Sequence, residues 1–236
     1  MKETTLKKFH LRKAYSIYRN IKWSFFDHSL VRKDIVYRLI NHYGGDSGHK
    51  IETPSGNLGF GFIHYCIIRN IRPAKVLCIG SRMGFVPAIC ALACKDNRYG
   101  VVEFVDAGLD ESDKKSWSGI GFWKKTDLKK HFNVSKLNNW INTYIMTSQS
   151  FADAYPKWKY DYIYIDGDHS YGGVKLDFKL FWPRLNKNGF MVFHDATVKN
   201  WGSLKGFGVW KFLKENKNRH KIIFPLNESG LAILQK

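Results

Sequence analysis

The sequence predicts an α/β fold, a mostly parallel sheet with helices on both faces that ends in an antiparallel hairpin. Three observations carry this expectation. From Lys75 onward short apolar runs alternate with helical stretches, the pattern of a parallel sheet. Two of those runs, at residues 162–165 and 189–193, stop abruptly on carboxylates and imidazoles. Two late apolar runs are joined by the tight turn Asn227-Glu228-Ser229-Gly230, and a hairpin that tight makes the last strand antiparallel to its neighbour.

The elements follow in order. Residues 1–26 carry seven Lys/Arg, and Ala14, Ile17, Tyr18, Ile21 and Phe25 repeat at helical spacing. That predicts a basic amphipathic helix, packed on the domain or turned toward an acidic partner. A second helix is expected over residues 30–42, stopped by Gly44-Gly45, and a third over 60–71 after a loop containing Gly, Ser and Pro. Residues 1–55 thus read as a basic helical extension and 56–236 as the domain. Within it, Val76-Leu77-Cys78-Ile79 is the first strand, 80–84 a turn and 86–94 a helix. Strands follow at 100–105, 142–146 and 161–165, a helix at 173–185, and a fifth strand at 189–193. Residues 210–216 read as helical, and 221–226 and 231–234 as the last two of seven strands.

Composition narrows the class. With 236 residues, 44% apolar and 16% aromatic, the chain has material for one large core, which excludes disorder. A formal net charge of +18 favours anionic partners, whether nucleic acid, phosphorylated substrates or an acidic membrane face, unless it is simply a lysine-rich solvated surface. Cys66, Cys78, Cys90 and Cys94 lie inside apolar segments without metal-type spacing and read as small buried hydrophobes in a reducing compartment. The longest apolar run, residues 60–68, falls far short of the ~20 residues of a membrane span, and the first apolar stretch is broken by basic residues. The expected location is the cytoplasm.

Gly80-Ser81-Arg82-Met83-Gly84 follows the first strand and precedes a helix, so backbone amides can approach a ligand there. Asp106 ends the second strand 22 residues after Gly84, where an acid accepts hydrogen bonds from ribose hydroxyls. Dehydrogenases and methyltransferases both use such an acid, and the antiparallel last strand favours the second.

Together with residues 76–84 and Asp106, the run Ile165-Asp166-Gly167-Asp168-His169-Ser170-Tyr171, followed by Val174, Asp177, Leu185, Gly189 and Phe193-His194-Asp195, resembles the class I S-adenosylmethionine-dependent methyltransferases that carry an IDGDHSY...HD signature, a group similar to sugar and small-molecule O-methyltransferases. The likeness covers residues 55–236. It implies a Rossmann-like three-layer sandwich with a seven-stranded, mostly parallel sheet. It further implies S-adenosylmethionine as cofactor, with Gly80, Ser81, Arg82 and Gly84 along its methionine and ribose portions, Asp106 on the ribose, Ser148 and Gln149 at the adenine edge, and Asp166 beside it. Cys78 stands where such proteins often have an acid, and Arg82 replaces a glycine.

Methyl transfer to a hydroxyl needs the acceptor oxygen held in line and relieved of its proton, and positioning alone accounts for ~7–11 kcal/mol of barrier lowering. Asp166, His194 and Asp195 are the candidate ligands of a divalent ion, Mg²⁺ or Mn²⁺, by resemblance to the metal triads of sugar O-methyltransferases; chemistry without an ion is the alternative. Asp168 and His169 are the candidate general bases. The long insertion between Ala107 and Trp140 reads as a substrate lid or a locally packed loop. The expected activity is O-methylation of a saccharide, nucleotide-sugar or other polar small molecule, in carbohydrate or secondary-metabolite biosynthesis. The alternatives are an RNA methyltransferase, motivated by the charge and by seven Lys/Arg between Lys199 and Lys221, and a catalytically silent binding protein.

Overall fold

The computed structural model describes residues 32–44, 49, 51–52, 55–113, 119–199, 207–216, 220–225 and 229–236. The expected amphipathic helix around residues 14–25 lies outside them. The chain divides into two compact units, Met1–Val36 and Tyr37–Lys236. In the first, the described residues include an ion pair between Arg32 and Asp34. Helix α1 (Lys33–Tyr43) ends within the second unit.

Seven strands form one sheet: β1 (Lys75–Ile79), β2 (Val101–Asp106), β3 (Ile141–Ile145), β4 (Tyr160–Ile165), β5 (Leu185–His194), β6 (Lys221–Phe224) and β7 (Leu231–Gln235). Their order is β3-β2-β1-β4-β5-β7-β6. The first five strands run parallel, and β7 runs antiparallel to both β5 and β6, as the hairpin required. This is a Rossmann-like α/β sheet.

Side-chain alternation along β4 assigns the two faces. Tyr162 and Tyr164 point to His64 on α2 (Phe60–Ile71), which packs beside α3 (Phe85–Asn97). Ile163 and Ile165 point the other way, into a buried cluster with Phe151 of α6 (Ser148–Ala154), Val174 of α7 (Tyr171–Phe181) and Phe212 of α8 (Val209–Glu215). Because β4 is buried on both sides, its sequence is a nearly continuous apolar and aromatic run. Helix α3 is buried from Phe85 to Cys94 and therefore reads as apolar all round.

Several boundaries differ from the sequence expectation. Ser170 caps α7 by accepting the Gly173 amide, so the helix starts at Tyr171, before the glycine pair. Pro183 then confines the chain to a single 3₁₀ turn, and Leu185 already pairs with Tyr160 in β5. Cys78, Cys90 and Cys94 are buried free thiols, but Cys66 is exposed on α2, contrary to the expectation for all four. The insertion after β2 contains two short helices, α4 (Phe122–Lys125) and α5 (Leu128–Asn133), among its described residues. Trp123 is buried, stacked on Phe132 with its edge toward Phe104, which agrees with the locally packed alternative for that stretch. No helix among the described residues is long and apolar enough to cross a membrane.

Candidate active site

At the carboxyl ends of β1, β2, β4 and β5 lies a cavity of about 770 Å³, within the size range of small-molecule and cofactor sites. Ligands of open α/β sheets bind at this edge.

Its first half is built on the turn after β1. Gly80 has φ 74°, and a Cβ there would collide with the Asp166 carbonyl, so glycine lets the ends of β1 and β4 approach. The turn is held from three sides. The Ser81 amide donates to Asp106 at 3.2 Å, the Trp123 indole donates to the Ser81 carbonyl at 2.7 Å, and His131 Nε2 lies 3.0 Å from the Met83 carbonyl. Asp106 also accepts from the Gly108 amide at 2.8 Å. Burial pushes its carboxyl up to about 6, against the lowering effect of those two amides. Gly80, Ser81, Arg82, Asp106, Ser148, Gln149 and Asp166 all line the cavity. Gly84 does not; with φ 87° it is the left-handed N-cap of α3, set against Trp123 and Phe132. Gln149 donates its amide to Asp153, and Asp177 is a buried cavity residue whose carboxyl desolvation pushes up to about 7.

The second half gathers the motif residues of β4 and β5. Ile165 pairs with Phe193, which sets Asp166 beside His194. Asp195 then leaves the strand at φ 53°, a left-handed conformation that aspartate tolerates better than most residues. The Ala196 and Thr197 amides bond the Gly230 and Ser229 carbonyls and pin this bend to the start of β7. His169 reaches in from the β4–α7 loop, which the Gly208 amide holds through the His169 carbonyl while Phe207 packs edge-on against the ring.

Here the side chains form an interlocked set. His169 Nδ1 pairs with Asp195 Oδ2, and its Nε2 lies 3.8 Å from Asp166 Oδ1. His194 Nδ1 lies 3.1 Å from Asp166 Oδ1 and 3.3 Å from Asp195 Oδ1. Tyr164 donates its hydroxyl to the other Asp166 oxygen at 2.9 Å. Burial disfavours the charged form of both histidines, but the facing carboxylates outweigh it and raise both. Burial likewise opposes ionisation of Asp195, yet His194 and His169 hold it well below the usual carboxylate range.

Asp168 lines the cavity but stands apart from this set. Its Oδ1 accepts the Ser170 amide at 2.9 Å and its carboxyl group abuts Gly173, so it shapes the turn into α7. Ligand atoms of Asp166, His169 and Asp195 lie within 4.8 Å of one another. Two carboxylates and an imidazole suit Mg²⁺ or Mn²⁺, so the donor set fits a divalent ion. That geometric group contains His169, whereas the sequence grouped His194 with the two acids.

Sequence reasoning did not single out His49, Tyr164, Trp123 or Phe207 as site residues. The buried His49 ring lies 4.4 Å from that of His194. Its place in a Gly/Ser loop gave no signal, whereas Tyr164, two residues before a strand-end acid, shares a strand with it and was findable.

The reversed last strand, the glycine turn after β1, the acid ending β2 and the carboxylates ending β4 and β5 are the features of a methyltransferase domain. A family model described as a methyltransferase domain, Methyltransf_24, matches residues 77–196, just over half of the chain, and the chain belongs to that family. Among solved structures, the fold is similar to that of an O-methyltransferase from Bacillus cereus in complex with SAH, at 11% identity and TM-score 0.59, over 89% of this chain and 94% of that one. It is also similar to the O-methyltransferase TomG of Streptomyces achromogenes, involved in tomaymycin synthesis and in complex with SAM, at 11% identity and TM-score 0.59 over 90% and 95% of the two chains. The SAH-bound methyltransferase PaMTH1 of Podospora anserina gives 14% identity and TM-score 0.57 over 100% and 97%. Among curated sequences, the uncharacterized protein y4gI of Sinorhizobium fredii is 38% identical over 75 residues, 31% of this chain and 8% of that protein. The uncharacterized protein R132 of Acanthamoeba polyphaga mimivirus is 44% identical over 41 residues, 17% of this chain and 19% of that protein. The matched regions thus span a small part of both relatives.

Proposed function

We propose that the protein is an O-methyltransferase that uses S-adenosylmethionine to methylate a hydroxyl of a polar small molecule, of the saccharide or nucleotide-sugar kind. The observation that carries this reading is the His169–Asp195 pair at the cavity wall, with Asp166 and His194 packed around it. When bound, S-adenosylmethionine supplies an electrophilic methyl group. Ser81, Asp106 and Ser148 hold the cofactor's ribose and adenine side, and the fit rests on the Asp106 carboxyl at the cavity wall. Asp195 fixes Nδ1 of His169, which leaves Nε2 to take the acceptor's hydroxyl proton. His194 balances the paired charges of Asp166 and Asp195, and Tyr164 sets the rotation of the Asp166 carboxylate.

A second reading, favoured by the compact grouping of ligand atoms, gives Asp166, His169 and Asp195 to a divalent ion. Such an ion would polarise the acceptor oxygen and lower its pKa. The test is transfer of labelled methyl to a panel of sugars, nucleotide-sugars and RNA, with EDTA, Mg²⁺ or Mn²⁺. Labelled methyl ether on a hydroxylated small molecule supports the proposal, and abolition by EDTA assigns the ion. Label on RNA alone, or on nitrogen, overturns the acceptor class.

A further inference from the structure

Helix α5 is only six residues long, and its last carbonyls have no partner inside it. The His131 carbonyl is one of them. It accepts from two side chains at the end of α1, the Tyr43 hydroxyl and His42 Nε2, both at 3.1 Å. A carbonyl only accepts, so both groups are donors here. Burial pushes the Tyr43 hydroxyl above its usual range, which keeps its proton in place. The rings close the contact: those of His42 and His131 lie 4.6 Å apart, and Tyr43 stands edge-on to His131 and stacks on Phe132.

The ring of the same His131 reaches the glycine turn, where Nε2 donates to the Met83 carbonyl at 3.0 Å. Pro87, four residues after Met83, has no N–H to offer that carbonyl. Burial lowers the pKa of His131, opposed by the Met83 carbonyl and aided by His42, so the ring stays neutral. Met83 adjoins Arg82 and, one residue further back, Ser81, both of which line the cavity, and a shift at Met83 is passed to the Ser81 amide that bonds Asp106. We propose that His131 positions the cofactor turn and that the end of α1, through His42 and Tyr43, positions His131, so that cofactor affinity depends on α1; this rests on the reading of the cavity as an S-adenosylmethionine site. Residues 37–43, which the sequence set apart with the basic extension, then belong to the cofactor-binding body.

The test is calorimetric titration of the full chain with S-adenosylhomocysteine, on wild type, His131→Phe, His131→Gln, Tyr43→Phe and the double variant Tyr43→Phe/His131→Phe, each held well below its thermal midpoint. His131→Phe keeps a ring and the backbone carbonyl but loses the donor, and is expected to weaken binding about threefold to tenfold. His131→Gln, whose amide can donate to the Met83 carbonyl, is expected to recover part of that loss. Tyr43→Phe is expected to weaken binding about twofold to fivefold in wild type and to add nothing once His131 is phenylalanine. A part played in folding alone would lower the midpoints and leave the affinities equal to wild type, and that result overturns the proposal. Additive losses in the double variant overturn the route through His131. Where His131→Phe does not fold, an unchanged affinity in Tyr43→Phe decides against the proposal. Failure of wild type to bind S-adenosylhomocysteine overturns the cofactor reading, and the proposal with it.

Discussion

Replacing Asp106 by asparagine is expected to stabilise the fold and weaken the cofactor, with both effects set by pH. Burial pushes the Asp106 carboxyl up to about 6 from an ordinary value of 3.8; the Gly108 and Ser81 amides oppose this and the charge of Asp166 adds to it. The folded protein therefore holds this proton more tightly than the unfolded chain. Its contribution to stability is fully present below the unfolded value and is lost as pH rises through about 6. By pH 8 the ionised carboxylate costs roughly 3 kcal/mol. Asparagine removes that charge but turns an NH₂ toward one of two amides, a loss of roughly 1 kcal/mol. The variant should then be roughly 1–2 kcal/mol more stable than wild type at pH 8 and no more stable at pH 4. Affinity runs the other way, because only the ionised carboxylate accepts from both ribose hydroxyls. At pH 5 about one molecule in eleven is ionised, so wild-type S-adenosylhomocysteine affinity should fall roughly tenfold from pH 8, while the variant binds weakly at both. Urea denaturation and calorimetry at the three pH values measure both quantities. A stability difference that does not change with pH would refute the reasoning.

Three further outcomes are expected. Glu103, buried in β2, accepts from Lys75 Nζ at 3.1 Å, Asn142 at 3.1 Å and the Tyr144 hydroxyl at 3.0 Å. Glu103→Ala should therefore cost roughly 2–3 kcal/mol in urea denaturation, with Glu103→Gln, which keeps one acceptor oxygen, losing clearly less; equal losses would contradict a network held by hydrogen bonding and put the weight on the charge. Gly80→Ala sets a methyl group against the Asp166 carbonyl at φ 74° and should cost about 3 kcal/mol or more, read as loss of soluble protein or a lowered midpoint. Asp195→Asn keeps the bend at φ 53° comfortable but takes the counter-charge from His169 and His194, so methyl transfer should fall roughly 10²- to 10⁴-fold and the thermal midpoint at neutral pH should fall with it. An unchanged rate would remove Asp195 from the chemistry.

The sheet was legible because four strands, β1, β2, β4 and β5, carry apolar runs that stop at a glycine or an acid, and because the four residues 227–230 between the last two runs are too few for a crossover. The motif acids were legible for the same reason, since a strand that stops on Asp166 or on His194-Asp195 delivers them to the sheet's edge. What sequence could not supply is who faces whom. Glu103 looks like any polar residue in Val-Val-Glu-Phe-Val, and only the pairing of β2 with β1 and β3 brings Lys75, Asn142 and Tyr144 to it. Asp168 and His169 were equal candidates until Asp168 was seen closing a turn on Ser170 and His169 meeting Asp195, a partner 26 residues away. Trp123 lies in an insertion whose length left lid and packed loop both open. Its indole, buried under the glycine turn, braces Ser81.

The most direct test of the central claim is calorimetric titration of the protein with S-adenosylhomocysteine, in EDTA and in Mn²⁺. The account predicts saturable micromolar binding that Asp106→Asn weakens. No heat up to millimolar ligand in either buffer would contradict it.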